Sequence, residues 1–236
     1  PKKQYGNEKP RIFRLEKDEA LINRLGFNND GSETIKKRIE NKVPIGLLGI
    51  NIGPNKDTNS MINDFCECAK TFFPLGDYLT INISSPNTVG LRNFHKTENL
   101  SELLTKINEI RKSSNFKKSF LLKISPDIEE SSIDNIIQLS LDNNIDGLIL
   151  TNTTDQKREN LSDQNRNEKG GLSGKPIENL SNSIIKKFYK KLNGKIPIIG
   201  VGGIDSGMSA FKKISAGASA LQLYTGLIYK GPTIVK

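Results

Sequence analysis

The chain has 236 residues, 35% of them hydrophobic, and 35 Lys+Arg against 26 Asp+Glu give it a formal net charge of +9 at pH 7. This is enough apolar material for a sizeable core; no apolar run approaches the 18 residues of a membrane span and no signal-like segment opens the chain, so the segment itself is expected to be soluble. A basic balance admits nucleic acid or an anionic surface as partner. Here, however, the lysines are spread over helix-period segments (Lys36, Lys37, Lys106, Lys112, Lys186, Lys187, Lys190 and Lys191), with no Arg-rich arm or aromatic-interleaved basic strip. A solvated surface is expected, and no nucleic-acid partner.

The chain opens in a loop-like stretch, residues 1–7, with no strand before it. The first apolar run, residues 46–51, ends in Asn51. Cys66 and Cys68 follow in a helical stretch; Cys-x-Cys without a nearby His pair is poor zinc spacing, so both are read as reduced and structural, with no metal. The second run, Tyr78-Leu79-Thr80-Ile81, enters Asn82-Ile83-Ser84-Ser85-Pro86-Asn87-Thr88. Taken alone, that stretch is a strand and a Ser-Pro-Asn turn. It also places two planar amides, each both donor and acceptor, around two serines, an arrangement suited to a flat heterocycle carrying N–H and C=O groups. His95, the only histidine, falls in a polar loop and is set aside as a catalytic group.

Leu100, Leu103, Leu104, Ile107 and Ile110 keep helical period, and the third run, residues 120–123, ends in Lys123. A cation at the end of an apolar strand is costly unless an anionic partner meets it or its stem snorkels to the rim. A second helix pattern (Ile133, Ile136, Ile137, Leu141) leads to residues 147–152, and a glycine loop covers 170–174. A third pattern (Ile184, Ile185, Phe188, Leu192) leads to residues 196–203. There Gly200, Gly202 and Gly203 precede a helix expected near Ser206, and a sixth run ends at Tyr224-Thr225.

Alternating β and α segments leave an open doubly wound sheet or a closed barrel. Asn51, Asn82, Lys123, Asn152, Gly203 and Tyr224 all fall at the C-terminal ends of strands, which a barrel gathers on one rim; an open sheet would instead concentrate a site at one switch point. The expected fold is therefore a (β/α)8 TIM barrel. Six strands are visible, so the chain is read as a single domain, 1–236, incomplete at both ends and lacking its first two strands and an N-terminal helical region. Glycine-rich turns in the last two units suit a phosphate site.

With these residues in view, the chain resembles the class 2 dihydroorotate dehydrogenases. The likeness runs through Gly6-Asn7, Pro10-Arg11, Phe13-Arg14-Leu15, Ile22-Asn23-Arg24 and Gly26-Phe27-Asn28-Asn29. It continues through residues 49–53, residues 82–92, Lys123-Ile124, Thr151-Asn152-Thr153, residues 170–174 and 200–204, and Tyr224. The resemblance implies FMN as cofactor, held by Asn51, Asn82, Lys123 and Thr151, with its phosphate around Gly174, Gly203, Tyr224 and Thr225. It implies dihydroorotate as substrate, to be converted to orotate in pyrimidine biosynthesis, among Asn23, Asn82, Asn87, Asn152 and Thr153. Ser85 is implied as the base taking the C5 proton while hydride leaves C6 for the flavin, and Thr88 and Phe27 as the border of the proton's exit.

Class 1 enzymes carry cysteine where this chain has Ser85, so the serine implies class 2, a quinone acceptor and association with a bacterial cell membrane or the mitochondrial inner membrane. The N-terminal helical pair that would meet the membrane and a family lysine near the flavin are not in the sequence. Two other readings stand beside this one. A related FMN barrel reducing uracil-like rings, including those of tRNA, would call for a cysteine acid and an RNA-binding domain, which are not seen. An inactive, truncated barrel is the other.

Overall fold

A computed structural model describes residues 1–42, 45–115 and 117–235. The chain begins with a hairpin, β1 (Ile12–Leu15) and β2 (Ala20–Asn23), followed by α1 (Ser32–Glu40). Strand and helix then alternate: β3 (Gly49–Ile52), α2 (Met61–Phe72), β4 (Tyr78–Asn82), α3 (Thr97–Ser113), β5 (Ser119–Ile124), α4 (Ile133–Asp142) and β6 (Gly147–Leu150). After β7 (Gly171–Gly174) come α5 (Glu178–Leu192), β8 (Ile198–Val201), α6 (Gly207–Ser215), β9 (Ala220–Gln222) and α7 (Thr225–Lys230).

The principal sheet has six parallel strands in the order β3-β4-β5-β6-β8-β9. Spatial order follows chain order without reversal, as in successive units of a (β/α) barrel and unlike a doubly wound sheet. The six strands expected from the apolar runs are all present. Among the described residues β3 and β9 each pair on one side only, so the sheet is a curled half-barrel.

The second sheet, β1-β2-β7, is antiparallel and was not foreseen. It overturns the reading of residues 170–174 as a glycine loop: Gly171 pairs with Asn23, Leu172 with Ile22 and Gly174 with Ala20. A strand with glycine at both ends carries little β propensity of its own. It forms because β2 supplies the ladder and Leu172 is fully buried against Leu15, Ile22 and Ile177.

Helix periodicity became burial in the main core. Leu100, Leu103, Leu104, Ile107 and Ile110 of α3 all face inward, as do Ile184, Ile185, Phe188 and Leu192 of α5. Phe73 stacks on Phe120 at 4.8 Å between centroids, and Phe65 meets Phe94 edge-on at 5.8 Å. Each such side chain, fully buried, contributes about 1.5–3 kcal/mol. The α6 N-terminus follows its expected start, with Ser206 and Ser209 forming a reciprocal capping box. Cys66 and Cys68 lie in α2 as free thiols, and no helix among the described residues is long and apolar enough to cross a membrane.

The unpaired sides of β3 and β9 present backbone donors and acceptors to any passing strand. The 236-residue chain expressed by itself is therefore expected to self-associate. Size-exclusion chromatography coupled to light scattering checks this, and a monodisperse monomer would contradict it.

Candidate active site

Parallel register sets the centre of the site. Asn82, the last residue of β4, pairs with Lys123 on β5, so an amide and an ammonium stand side by side at the C-terminal edge of the sheet. The chain beyond β4 then turns on its own side chains. Asn82 Oδ1 accepts from the Ser84 N–H at 3.3 Å and from the Ser84 hydroxyl at 3.1 Å. From beyond β6, Asn152 Nδ2 donates to Ser84 Oγ at 2.8 Å and to Asn82 Oδ1 at 3.3 Å. Ser84 is fully buried, and it joins two of the predicted asparagines into one rigid group.

The small antiparallel sheet closes over this edge. Asn23, the last residue of β2, accepts from Asn87 Nδ2 through its backbone carbonyl at 3.0 Å and its Oδ1 at 3.2 Å. Asn87 N–H donates to Ser85 Oγ at 3.3 Å, which orients the serine with one lone pair occupied. The β2–α1 loop brings Phe27 in at φ +53°, a left-handed backbone uncommon for an aromatic residue.

Two adjoining cavities result. One, of about 250 Å³, is lined among others by Lys123, Thr151, Gly174, Gly203, Tyr224 and Thr225. The other, of about 300 Å³, is lined by Phe27, Asn82, Ser85 and Asn87. Asn23, Leu25, Asn152 and Thr153 border both. Two predicted residues stand apart. Asn51 faces a third hollow of about 230 Å³, which shares Phe27 with the second cavity. Thr88 is buried in the wall and lines none of these.

The first cavity holds unsatisfied polar groups. Burial pushes the Lys123 amine down from its ordinary value, and no hydrogen bond or ion pair joins its ammonium to another described residue. Thr151 Oγ1 is buried without a partner. Gly203, at φ +76°, lies so close to the start of α5 that a Cβ would come within 2.5 Å of Glu178 Cα, so the turn requires glycine.

Sequence reading missed what holds the loops together. Arg92 donates to Asp127 at 2.9 Å, to Asp155 at 3.1 Å, to the Thr153 carbonyl at 3.3 Å and to the Ser84 carbonyl at 3.5 Å. Asp127 also accepts from the Thr154 hydroxyl. Burial pushes its carboxyl up, against the opposing pull of Thr154 and Arg92. The loops after β4, β5 and β6 are thereby joined. Nothing local signals this, because the partners lie far apart in the chain. His95 corrects a second expectation: it sits on a short 3-10 turn (Leu91–His95) rather than in an open loop, and its Nε2 is buried without a partner. Desolvation, with Arg92 nearby, pushes its pKa down to about 4, so it is neutral at pH 7.

The family model described as dihydroorotate dehydrogenase matches residues 1–236. The chain belongs to the dihydroorotate dehydrogenase family. It is 45% identical over 240 residues to a dihydroorotate dehydrogenase (quinone) of Rhodopseudomonas palustris strain HaA2, covering 100% of this chain and 66% of the relative. A relative of the same name from Bradyrhizobium sp. strain ORS 278 is 44% identical over 241 residues, with the same coverage. The chain thus spans just under two thirds of the curated relatives it matches. Crystal structures of Eimeria tenella DHODH superpose with a TM-score of 0.94. The complex with ferulenol is 38% identical, covering 99% of this chain and 69% of that one. For the ligand-free enzyme the figures are 39%, 99% and 72%.

Two outcomes test this geometry in the ligand-free protein. An amine whose pKa is lowered by folding binds fewer protons in the native state, so stability rises as pH rises through the native pKa towards the ordinary lysine value. Lys123→Met is therefore expected to raise Tm at pH 7, at about 2–4 °C per kcal/mol recovered, and to remove that part of the alkaline gain. Calorimetry across pH checks this; a lower Tm would mean that the ammonium is compensated. Arg92→Leu strands Asp127 and is expected to cost about 3 kcal/mol, measured by urea unfolding. A loss below about 1 kcal/mol would show the clamp to be idle.

Proposed function

We propose that this chain carries the flavin and substrate site of a quinone-dependent dihydroorotate dehydrogenase, which oxidises dihydroorotate to orotate in pyrimidine biosynthesis. The observation that carries the reading is the pair of adjoining cavities. One has an unpaired ammonium and an orphaned hydroxyl in its wall, and the other places Ser85 among asparagine amides.

FMN fits the first cavity. The Lys123 ammonium lacks an anionic partner, Thr151 Oγ1 lacks a hydrogen-bond partner, and the Gly202-Gly203 turn and the residues at Tyr224-Thr225 line the same space without bulky side chains at the glycines. Lys123, Thr151 and Asn82 would hold the ring. Gly174, Gly203, Tyr224 and Thr225 would surround the phosphate, and Asn51 would approach from the neighbouring hollow. Bound FMN supplies the acceptor for a hydride and its two electrons.

In the second cavity, Asn23, Asn82, Asn87, Asn152 and Thr153 suit a planar ring bearing amide N–H, C=O and carboxylate groups. Asn82 and Asn152 already share hydrogen bonds with Ser84, so their outward amide faces are oriented before substrate arrives. Ser85 takes the C5 proton at Oγ as hydride departs C6, which balances the loss of two hydrogens. A hydroxyl is a weak base and must pass its own proton on. Thr88, buried beside the loop, and Phe27, which lines the second cavity, would border the exit. Quinone as electron acceptor, supported by the name of the curated relatives, and contact with a membrane surface complete the proposal.

The test is dihydroorotate-dependent bleaching of flavin absorbance in the full-length protein, followed by addition of quinone or fumarate. Wild type is expected to bleach and to recover with quinone alone. Ser85→Ala is expected to slow bleaching by roughly 10²–10⁴-fold, the usual contribution of a general base. Recovery with fumarate would reassign the acceptor, and bound flavin that never bleaches would remove dihydroorotate as substrate.

A further inference from the structure

We propose that Lys213, on the far side of β8 from the cavity, is a positioning residue that fixes the Gly202-Gly203 turn for a phosphate-bearing flavin; the inference rests on the FMN reading above and deepens it. Lys213 is fully buried in α6. Its Nζ donates to Ser181 Oγ at 3.0 Å and to Asn182 Oδ1 at 2.8 Å, both on α5. Ser181 in turn donates to the Val201 carbonyl at 2.6 Å. Thr151 N–H reaches the same carbonyl at 3.0 Å.

Val201 ends β8 and directly precedes the glycine turn, and it lines the cavity together with Thr151, Gly202 and Gly203. The relay therefore runs from a buried cation, through a hydroxyl, to the last carbonyl before the turn. Gly200 is part of the device. A Cβ there would come within 2.6 Å of Lys213 Cγ, so the missing side chain is what lets the lysine stem cross the strand.

The cation lacks a carboxylate of its own. Glu178, the carboxylate that faces it from α5, is engaged by Lys212 at 3.3 Å. Burial pushes the Lys213 amine down to about 8, so it still carries its charge at pH 7. A buried positive charge held by neutral oxygens behind a glycine turn favours an anion in front of that turn, because the low-dielectric wall screens it weakly. A lysine kept only for packing would show no such preference among ligands.

The experiment compares FMN with riboflavin, which lacks the phosphate, by fluorescence quenching in the flavin-stripped full-length protein. Lys213→Met keeps an unbranched stem across Gly200 and removes the charge. It is expected to lower the preference for FMN over riboflavin about tenfold while leaving riboflavin affinity in place. Ser181→Ala keeps the charge and cuts the relay; it is expected to lower the same preference several-fold, and it decides the matter if Lys213→Met does not fold. An unchanged preference in the folded variants, or equal weakening of both ligands, overturns the inference and leaves the FMN reading intact. A wild-type protein that binds neither flavin overturns both.

Discussion

The arrangement depends on an ammonium half-buried near the C-terminal end of β5 without a counter-ion among the described residues. Lys123 pairs in register with Asn82, and that register is fixed upstream by Leu79, Ile81, Phe120 and Leu122, all buried in one core. A slip of one residue would turn Lys123 towards the helices and an apolar neighbour towards the cavity. The core thus holds a charge where folding alone would not place one, at a cost that an anionic ligand can offset.

The two halves of the site solve their polar accounting differently. Around Asn82 each amide is held internally, by Ser84, by Asn152 or by the Asn23–Asn87 pair, so the groups that would face substrate are fixed in advance. Around Lys123 and Thr151 the bonds are left open: the Thr151 hydroxyl is buried without a partner, and the half-buried lysine lines the same cavity. Substrate recognition by differential hydrogen bonding needs the first kind of site, since rigid donors and acceptors discriminate between rings. Retention of a resident group needs the second, because desolvated, unsatisfied partners gain most when it binds. Their common border, Asn23, Leu25, Asn152 and Thr153, sets the two kinds of surface side by side.

Much of this was legible in the sequence because strand ends are written locally. An apolar run stopping at Asn82, Lys123 or Gly203 gives both the strand and the rim residue, and helical period gave the buried faces of α3 and α5. What was illegible is long-range. Residues 170–174 have the composition of a loop and become β7 only because β2, far upstream, offers an edge. Ser84 reads as a neighbour of Ser85, and its bond to Asn152 spans the β5 and β6 units. Arg92 looks like one more surface charge until Asp127 and Asp155 arrive beside it. Asn51 lies one residue before the end of β3, yet the end of an edge strand faces a hollow of its own.

Glycine shows why residue type alone underdetermines role. The glycines of this rim were read as allowing close approach to an anion, but their neighbours in the fold are parts of the chain itself. Gly203 meets the α5 backbone, Gly200 meets the Lys213 stem, and a Cβ on Gly171 would come within 2.1 Å of the Thr153 hydroxyl. Each lets one element settle closely against another, and that close packing is what brings Thr153, the β8 turn and the α5 N-terminus to one rim. Ligand approach is then a consequence of how tightly the protein packs upon itself, so the same glycine motif in a looser framework would carry no site.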